Sequence, residues 1–124
     1  MQRLQHRQIN ILTKAGVNTT TSYDISGLIQ DFLAFPTLIL TAIANSGAAD
    51  LDVTVEASAD GVNYVEVLAF PSLLTGVGGV EAEALPGAAK YMRVVVTLST
   101  TGDYGITIDA YGPCAVHEML VFAS

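Results

Sequence analysis

The sequence predicts an all-β chain: a single antiparallel β-sandwich, jelly-roll or Ig-like, of about eight or nine short strands with at most one short helix. Three observations predict it. Apolar and polar residues alternate with a period of two along several segments. Gly, Pro, Asn and Asp interrupt the chain between those segments at short intervals. Nothing helical alternates with the strands, so βαβ units are not expected.

The clearest strand is Leu51 to Ser58, where Leu51, Val53, Val55 and Ala57 share one face and Asp52, Thr54, Glu56 and Ser58 the other. Asp60-Gly61 follows, and an Asp-Gly pair between two strand-like runs signals a hairpin because Gly accepts the positive φ of the turn. The returning strand, Tyr64 to Ala69, stops at Pro71, which has no N–H for a ladder. Thr37 to Ala44 is a nearly continuous apolar run that reads as a strand buried on both faces, ending at an Asn45-Ser46-Gly47 turn. Lys90 to Leu98 carries three consecutive valines. Tyr104 to Tyr111 alternates again, with Ile106, Ile108 and Ala110 on the dry side, and a turn over Thr100 to Asp103 joins it to the preceding strand. Weaker signals mark strands at Gln8 to Thr13, Thr19 to Ile25, Val80 to Ala84 and Val116 to Phe122. Ser26 to Leu33 reads as one helical turn capped by Ser26.

The chain has 124 residues, enough for one domain with a real core. It is 51% hydrophobic and only 14% charged, against about 25% charged in an ordinary globular protein. Such a surface points to burial in an oligomer or against a large partner. The net charge of −7 is unevenly spread: residues 1–14 hold Arg3, Arg7 and Lys14 without a carboxylate, while the remainder holds two cations and twelve carboxylates. This reads as a basic N-terminal arm, 1–14, either frayed and solvated or reaching an acidic neighbour, followed by a sandwich domain, 15–124. An acidic body disfavours nucleic acid as a partner. The apolar stretch before Ala49 is too short and too broken to span a membrane as a helix. The loop from Pro71 to Gly79 sets Leu73 and Leu74 among glycines and reads as a contact element or a partly disordered one.

No residue set assembles into a catalytic or metal site. Cys114 and His117 would supply two ligands where a structural zinc takes four, and Cys114 reads as a small buried filler. Glu81 and Glu83 sit two apart on one strand face, as any wet face provides, and are expected to point to solvent. Asp50 and Asp52 read as a turn residue and a wet-face residue. Gly76, Gly78 and Gly79 precede neither a Lys-Ser/Thr pair nor a helix, so they form no phosphate loop. The expectation is a non-enzyme with no cofactor.

Taken together, the Val55 to Val67 hairpin, the Ala89 to Val96 strand and the Gly105 to Gly112 strand resemble small β-sandwich structural proteins of tailed bacteriophages, in particular capsid decoration (cement) proteins. The likeness covers the chain from about residue 37 onward. It implies a protein of the virion's capsid surface that binds and stabilises the major capsid protein lattice, commonly as a homotrimer; the candidate partner contacts, Arg3 and Arg7 of the arm and Leu73 and Leu74 of the loop, come from charge and apolar character and not from the resemblance. A tail, neck or fibre accessory protein is the nearest alternative. The hairpin is also similar to those of discoidin-like and carbohydrate-binding sandwiches, with Tyr64 in the aromatic position and Lys90 in the first basic one.

Overall fold

A computed structural model describes residues 2–29, 32, 34–47, 51–70, 79–87, 89–98 and 102–117. They form eight strands: β1 (Gln2–Val17), β2 (Thr21–Asp24), β3 (Thr37–Gly47), β4 (Leu51–Ser58), β5 (Val65–Ala69), β6 (Gly79–Ala84), β7 (Tyr91–Leu98) and β8 (Gly102–His117). Two four-stranded sheets result, ordered β1-β8-β3-β6 and β2-β7-β4-β5, and every pairing is antiparallel. Of the two sandwich types the sequence allows, this order is the jelly roll. Only β4 and β5 are joined within one sheet; each other connection passes from one sheet to the other.

Alternation puts one face of each inner strand into the core. Leu51, Val53 and Val55 of β4 and Val94 and Val96 of β7 meet Leu38 and Leu40 of β3 and Ile106 and Ile108 of β8, all essentially without solvent exposure. Burying each such side chain stabilises by about 1.5–3 kcal/mol relative to leaving it in water. Cys114 is a free thiol inside this core.

Four local expectations are corrected. Thr37 to Ala44 is buried on one face only, because β3 lies in an outer layer of a two-layer sandwich: Leu38, Leu40 and Ala42 are buried while Ile43 is 62% exposed. Asn45-Ser46-Gly47 is no turn; β3 continues through it, with Ser46 opposite Asp103 and Gly47 opposite Gly102. The Thr100 to Asp103 segment likewise gives its last two residues to β8. Finally, no helix forms among the described residues. Successive turns close instead through Leu28 N–H to Ile25 O (3.2 Å) and Phe32 N–H to Ile29 O (3.2 Å). Ser26 does not cap a helix; its Oγ bonds the Met92 backbone, accepting from N–H at 3.0 Å and donating to C=O at 3.4 Å, and so ties this segment to β7.

β8 runs unbroken from Gly102 to His117 through Pro113, where the sequence suggested one strand ending at Tyr111 and another starting at Val116. Past Tyr111, β3 has ended and β8 keeps a continuous ladder only with β1. A proline is tolerated where one side of a strand is unladdered. Gly112 is closely packed here: a Cβ would stand 3.3 Å from the Phe32 ring and from Pro36 Cα, tighter than an ordinary contact. Residues 118–122 of the expected last strand lie outside the described residues.

The basic head runs as the edge strand β1, from Gln2 opposite His117 to Val17 opposite Tyr104. Residue 14, where the sequence suggested an arm giving way to a domain, falls inside this strand.

Leu40 and Ile43 offer a paired test on one strand. Leu40→Ala removes a fully buried side chain and is expected to cost about 2–5 kcal/mol. Ile43→Ala, on the open face, is expected to stay within about 0.5 kcal/mol. Urea unfolding followed by circular dichroism measures both.

Candidate interaction surfaces

The outer face of the β1-β8-β3-β6 sheet divides into two halves. On the β1 side it is polar. Asp109 accepts from Gln8 Nε2 at 2.8 Å and from Asn10 Nδ2 at 3.0 Å, and Asn10 also reaches Thr13 Oγ1 at 2.9 Å. On the β6 side it is apolar. The register sets Thr37 opposite Ala84, Ile39 opposite Ala82 and Thr41 opposite Val80, with Ile43 diagonal to Val80. Val80, Ala82 and Ala84 are exposed, as is Ile43.

β6 has a parity that its sequence does not announce. Leu38 and Leu40 point into the core, and their direct partners are Glu83 and Glu81. The two carboxylates therefore occupy the core-side face of an edge strand, half-buried, and the small apolar residues face outward. Glu81 and Glu83 share a face as expected, but it is not the solvent face. They are tolerated there because the rim of the sandwich leaves a long side chain a way out to water. Across the rim lies β5, whose Glu66 is exposed. Neither β5 nor β6 contains a Lys or Arg.

The opposite edge is basic. β1 holds Arg3, Arg7 and Lys14 and no carboxylate. Arg7 is exposed, and the Lys14 ammonium lies 5.2 Å from the Tyr23 ring centroid. Arg3 stands opposite Val116, and Arg7 opposite Gly112. Leu73 and Leu74 lie outside the described residues, as does Asp50.

On the second sheet, Arg93 of β7 and Glu56 of β4 are direct partners. Arg93 Nε and Nη2 both reach Glu56 Oε1, at 2.8 and 2.7 Å. The guanidinium also lies 3.9 Å from the Tyr64 ring centroid. That face of Tyr64 is occupied by the guanidinium. Lys90 covers Tyr91 in the same manner, 5.3 Å from its centroid.

The β4–β5 turn is the most densely bonded polar feature. Ser58 Oγ accepts from the N–H groups of Asp60 (3.2 Å) and Gly61 (2.9 Å) and donates to Asp60 Oδ1 (2.8 Å). Asp60 Oδ1 also accepts from the N–H groups of Val62 and Asn63, both at 2.8 Å, and Oδ2 accepts from Asn63 Nδ2 at 2.8 Å. Gly61 has φ +78°, and a Cβ added there would stand 3.5 Å from the Tyr91 ring. The backbone N–H of Asn63, ahead of that of Val62, holds the Asp60 carboxyl far below its ordinary value. Asp24 is lowered too, by the Ser26 hydroxyl and then the Ser26 N–H. Both carboxylates serve turns, and among the described residues no three or more His, Cys, Asp or Glu gather as a metal site would need.

No protein-family model and no curated protein matches this chain. Solved structures of similar shape include a chain of the disulfide-linked pili that form Bacillus endospore appendages, at 10% identity and a TM-score of 0.47, covering 94% of this chain and 92% of that one. Another is the SPBc2 prophage-derived protein YomS, at 7% identity and TM-score 0.48, covering 89% and 96%. A third is an infectious bursal disease virus chain of the Gx strain, at 15% identity and TM-score 0.40, covering 94% of this chain and 33% of that one. These are likenesses of overall shape and carry nothing about function.

The Asp60 turn yields a pH test. Its folded-state value lies below the ordinary 3.8, so its contribution is complete above that value and is lost as the pH falls from there through the lower folded-state value. The amide shifts of Val62 and Asn63 are expected to hold steady from neutrality into the ordinary carboxylate range and to move only on further acidification. Asp60→Ala is expected to displace both shifts at neutral pH and lower Tm, as two-dimensional NMR and a thermal melt would record.

Proposed function

We propose that this chain is a non-enzymatic structural protein of a virion, and most specifically a capsid decoration protein that binds and stabilises the major capsid protein lattice. One observation carries the reading: the apolar outer half-sheet formed by Ile39 and Ile43 of β3 with Val80, Ala82 and Ala84 of β6. A contiguous apolar face on a rigid sheet is costly in water and typical of a surface that another protein covers. The low charge content and the resemblance to phage cement proteins favour a shell lattice as that cover. The covered Tyr64 ring weighs against the carbohydrate-binding alternative. Attachment through the half-sheet needs neither cofactor nor catalytic group.

The test uses empty shells assembled from the major capsid protein encoded alongside this chain. The wild-type protein is expected to co-sediment with them, and an Ile43→Lys/Val80→Lys variant that keeps its melting temperature is expected to lose most of that binding. Equal binding by the variant, or retention of the wild type on a glycan array with no affinity for shells, would overturn the reading.

A further inference from the structure

We infer that the chain recognises a second copy of itself head to tail, by pairing the basic β1 edge of one copy with the acidic β6 edge of the next. The inference rests on reading the chain as an assembly subunit and names an interaction that assembly contains. β1 and β6 are the two edges of one sheet. Among the described residues each is laddered on a single side, β1 to β8 and β6 to β3, and a strand so placed offers a row of backbone donors and acceptors for strand addition.

Direction and face agree. Along the sheet, β1 and β6 run in opposite senses, since three antiparallel pairings separate them. A copy displaced sideways without rotation therefore presents its β1 antiparallel to the first copy's β6, continuing the sheet's own pattern. Gln2 to Asn10 pair with β8 without a register shift, and the irregularities follow only after Asn10. That regular stretch is longer than the six residues of β6. Arg7 has the strand parity of Ile9, which stands opposite the buried Ala110. The Arg7 position therefore falls on the same side of the extended sheet as Glu81 and Glu83.

Charge decides between partners. Two copies joined through β6 edges would oppose Glu81 and Glu83 to themselves, and two joined through β1 edges would oppose Arg3 and Arg7; like charges across a strand pair are unfavourable. Inward-facing charges on an edge strand ordinarily guard it against pairing. Here the guard is selective, because a strand bearing only cations meets it with complementary charge. The contact is heterologous, so it builds rings or open rows and not closed two-fold dimers.

Charge-swap sedimentation without any capsid tests the inference. The wild-type chain is expected to form species larger than a dimer at low ionic strength and to lose them at high salt. Glu81→Lys/Glu83→Lys and Arg3→Glu/Arg7→Glu, each alone and with an unchanged circular dichroism spectrum, are expected to remain monomeric. Mixing the two is expected to restore assembly, because each then offers the edge its partner lacks, and this rescue cannot come from misfolded protein. A wild type that stays monomeric, a dimer that survives Glu81→Lys/Glu83→Lys, or a mixture that fails to assemble would overturn it. A monomer that still binds shells would overturn this contact alone, whereas self-assembly without shell binding would overturn only the capsid reading.

Discussion

The turn at Ser58 to Asn63 is the constraint on which the rest of the molecule depends. Among the described residues it is the one place where the chain reverses within a sheet. From it, β4 pairs with β5, β3 with β6, β2 with β7 and β1 with β8, four pairs nested about a single tip. The sandwich is one long antiparallel ribbon wrapped on itself, and the lateral pairs β4–β7 and β3–β8 close the wrap. A two-residue error at the tip would shift the register of the β4–β5 pair. The bonds converging on Asp60 and Ser58, with Gly61 in a conformation that few other residues accept, fix that tip.

The same wrap decides which residues meet water. β1 and β6 become the edges of one sheet, and β2 and β5 those of the other. Cations collect in β1 and carboxylates in β5 and β6, so the protomer is electrically lopsided from edge to edge. The apolar half-sheet beside β6 is a different kind of surface. Apolar area supplies binding energy in proportion to what is covered, whereas charge selects partner and orientation. Having the two side by side on β3 and β6 lets one region of the molecule supply both.

Much of the fold is legible in the sequence, and the exceptions share a cause. β4 is written plainly, since Leu51, Val53 and Val55 alternate with polar residues, and the Asp60-Gly61 turn follows from local backbone chemistry alone. β8 is legible through Ile106 and Ile108. What escapes is whatever a distant partner decides. The head from Gln2 to Arg7 shows no strand signal of its own because its strand state comes from pairing with residues more than a hundred positions away. The alternation of Val80, Ala82 and Ala84 with Glu81 and Glu83 is visible, but its sense is set by Leu38 and Leu40 across the ladder. Ile39 and Ile43 look like core because hydrophobicity alone does not say which face of a strand meets the other sheet. Of the four proposed contact residues, only Arg3 and Arg7 lie among the described residues, both on β1.

The nested pairing also implies an order in time. Closing β1 on β8 in an unfolded chain means closing a loop of almost the whole chain, an entropic cost that grows with loop length. Once β4 and β5 have met at Asp60, the next pair closes only the segments that flank them, and so on outward. The nesting therefore favours closure from the tip towards the ends, with the contacts most remote in sequence closing last. Mutations near Asp60 should slow folding, while those in β1 should chiefly speed unfolding. Stopped-flow kinetics that gave the reverse assignment would rule this order out.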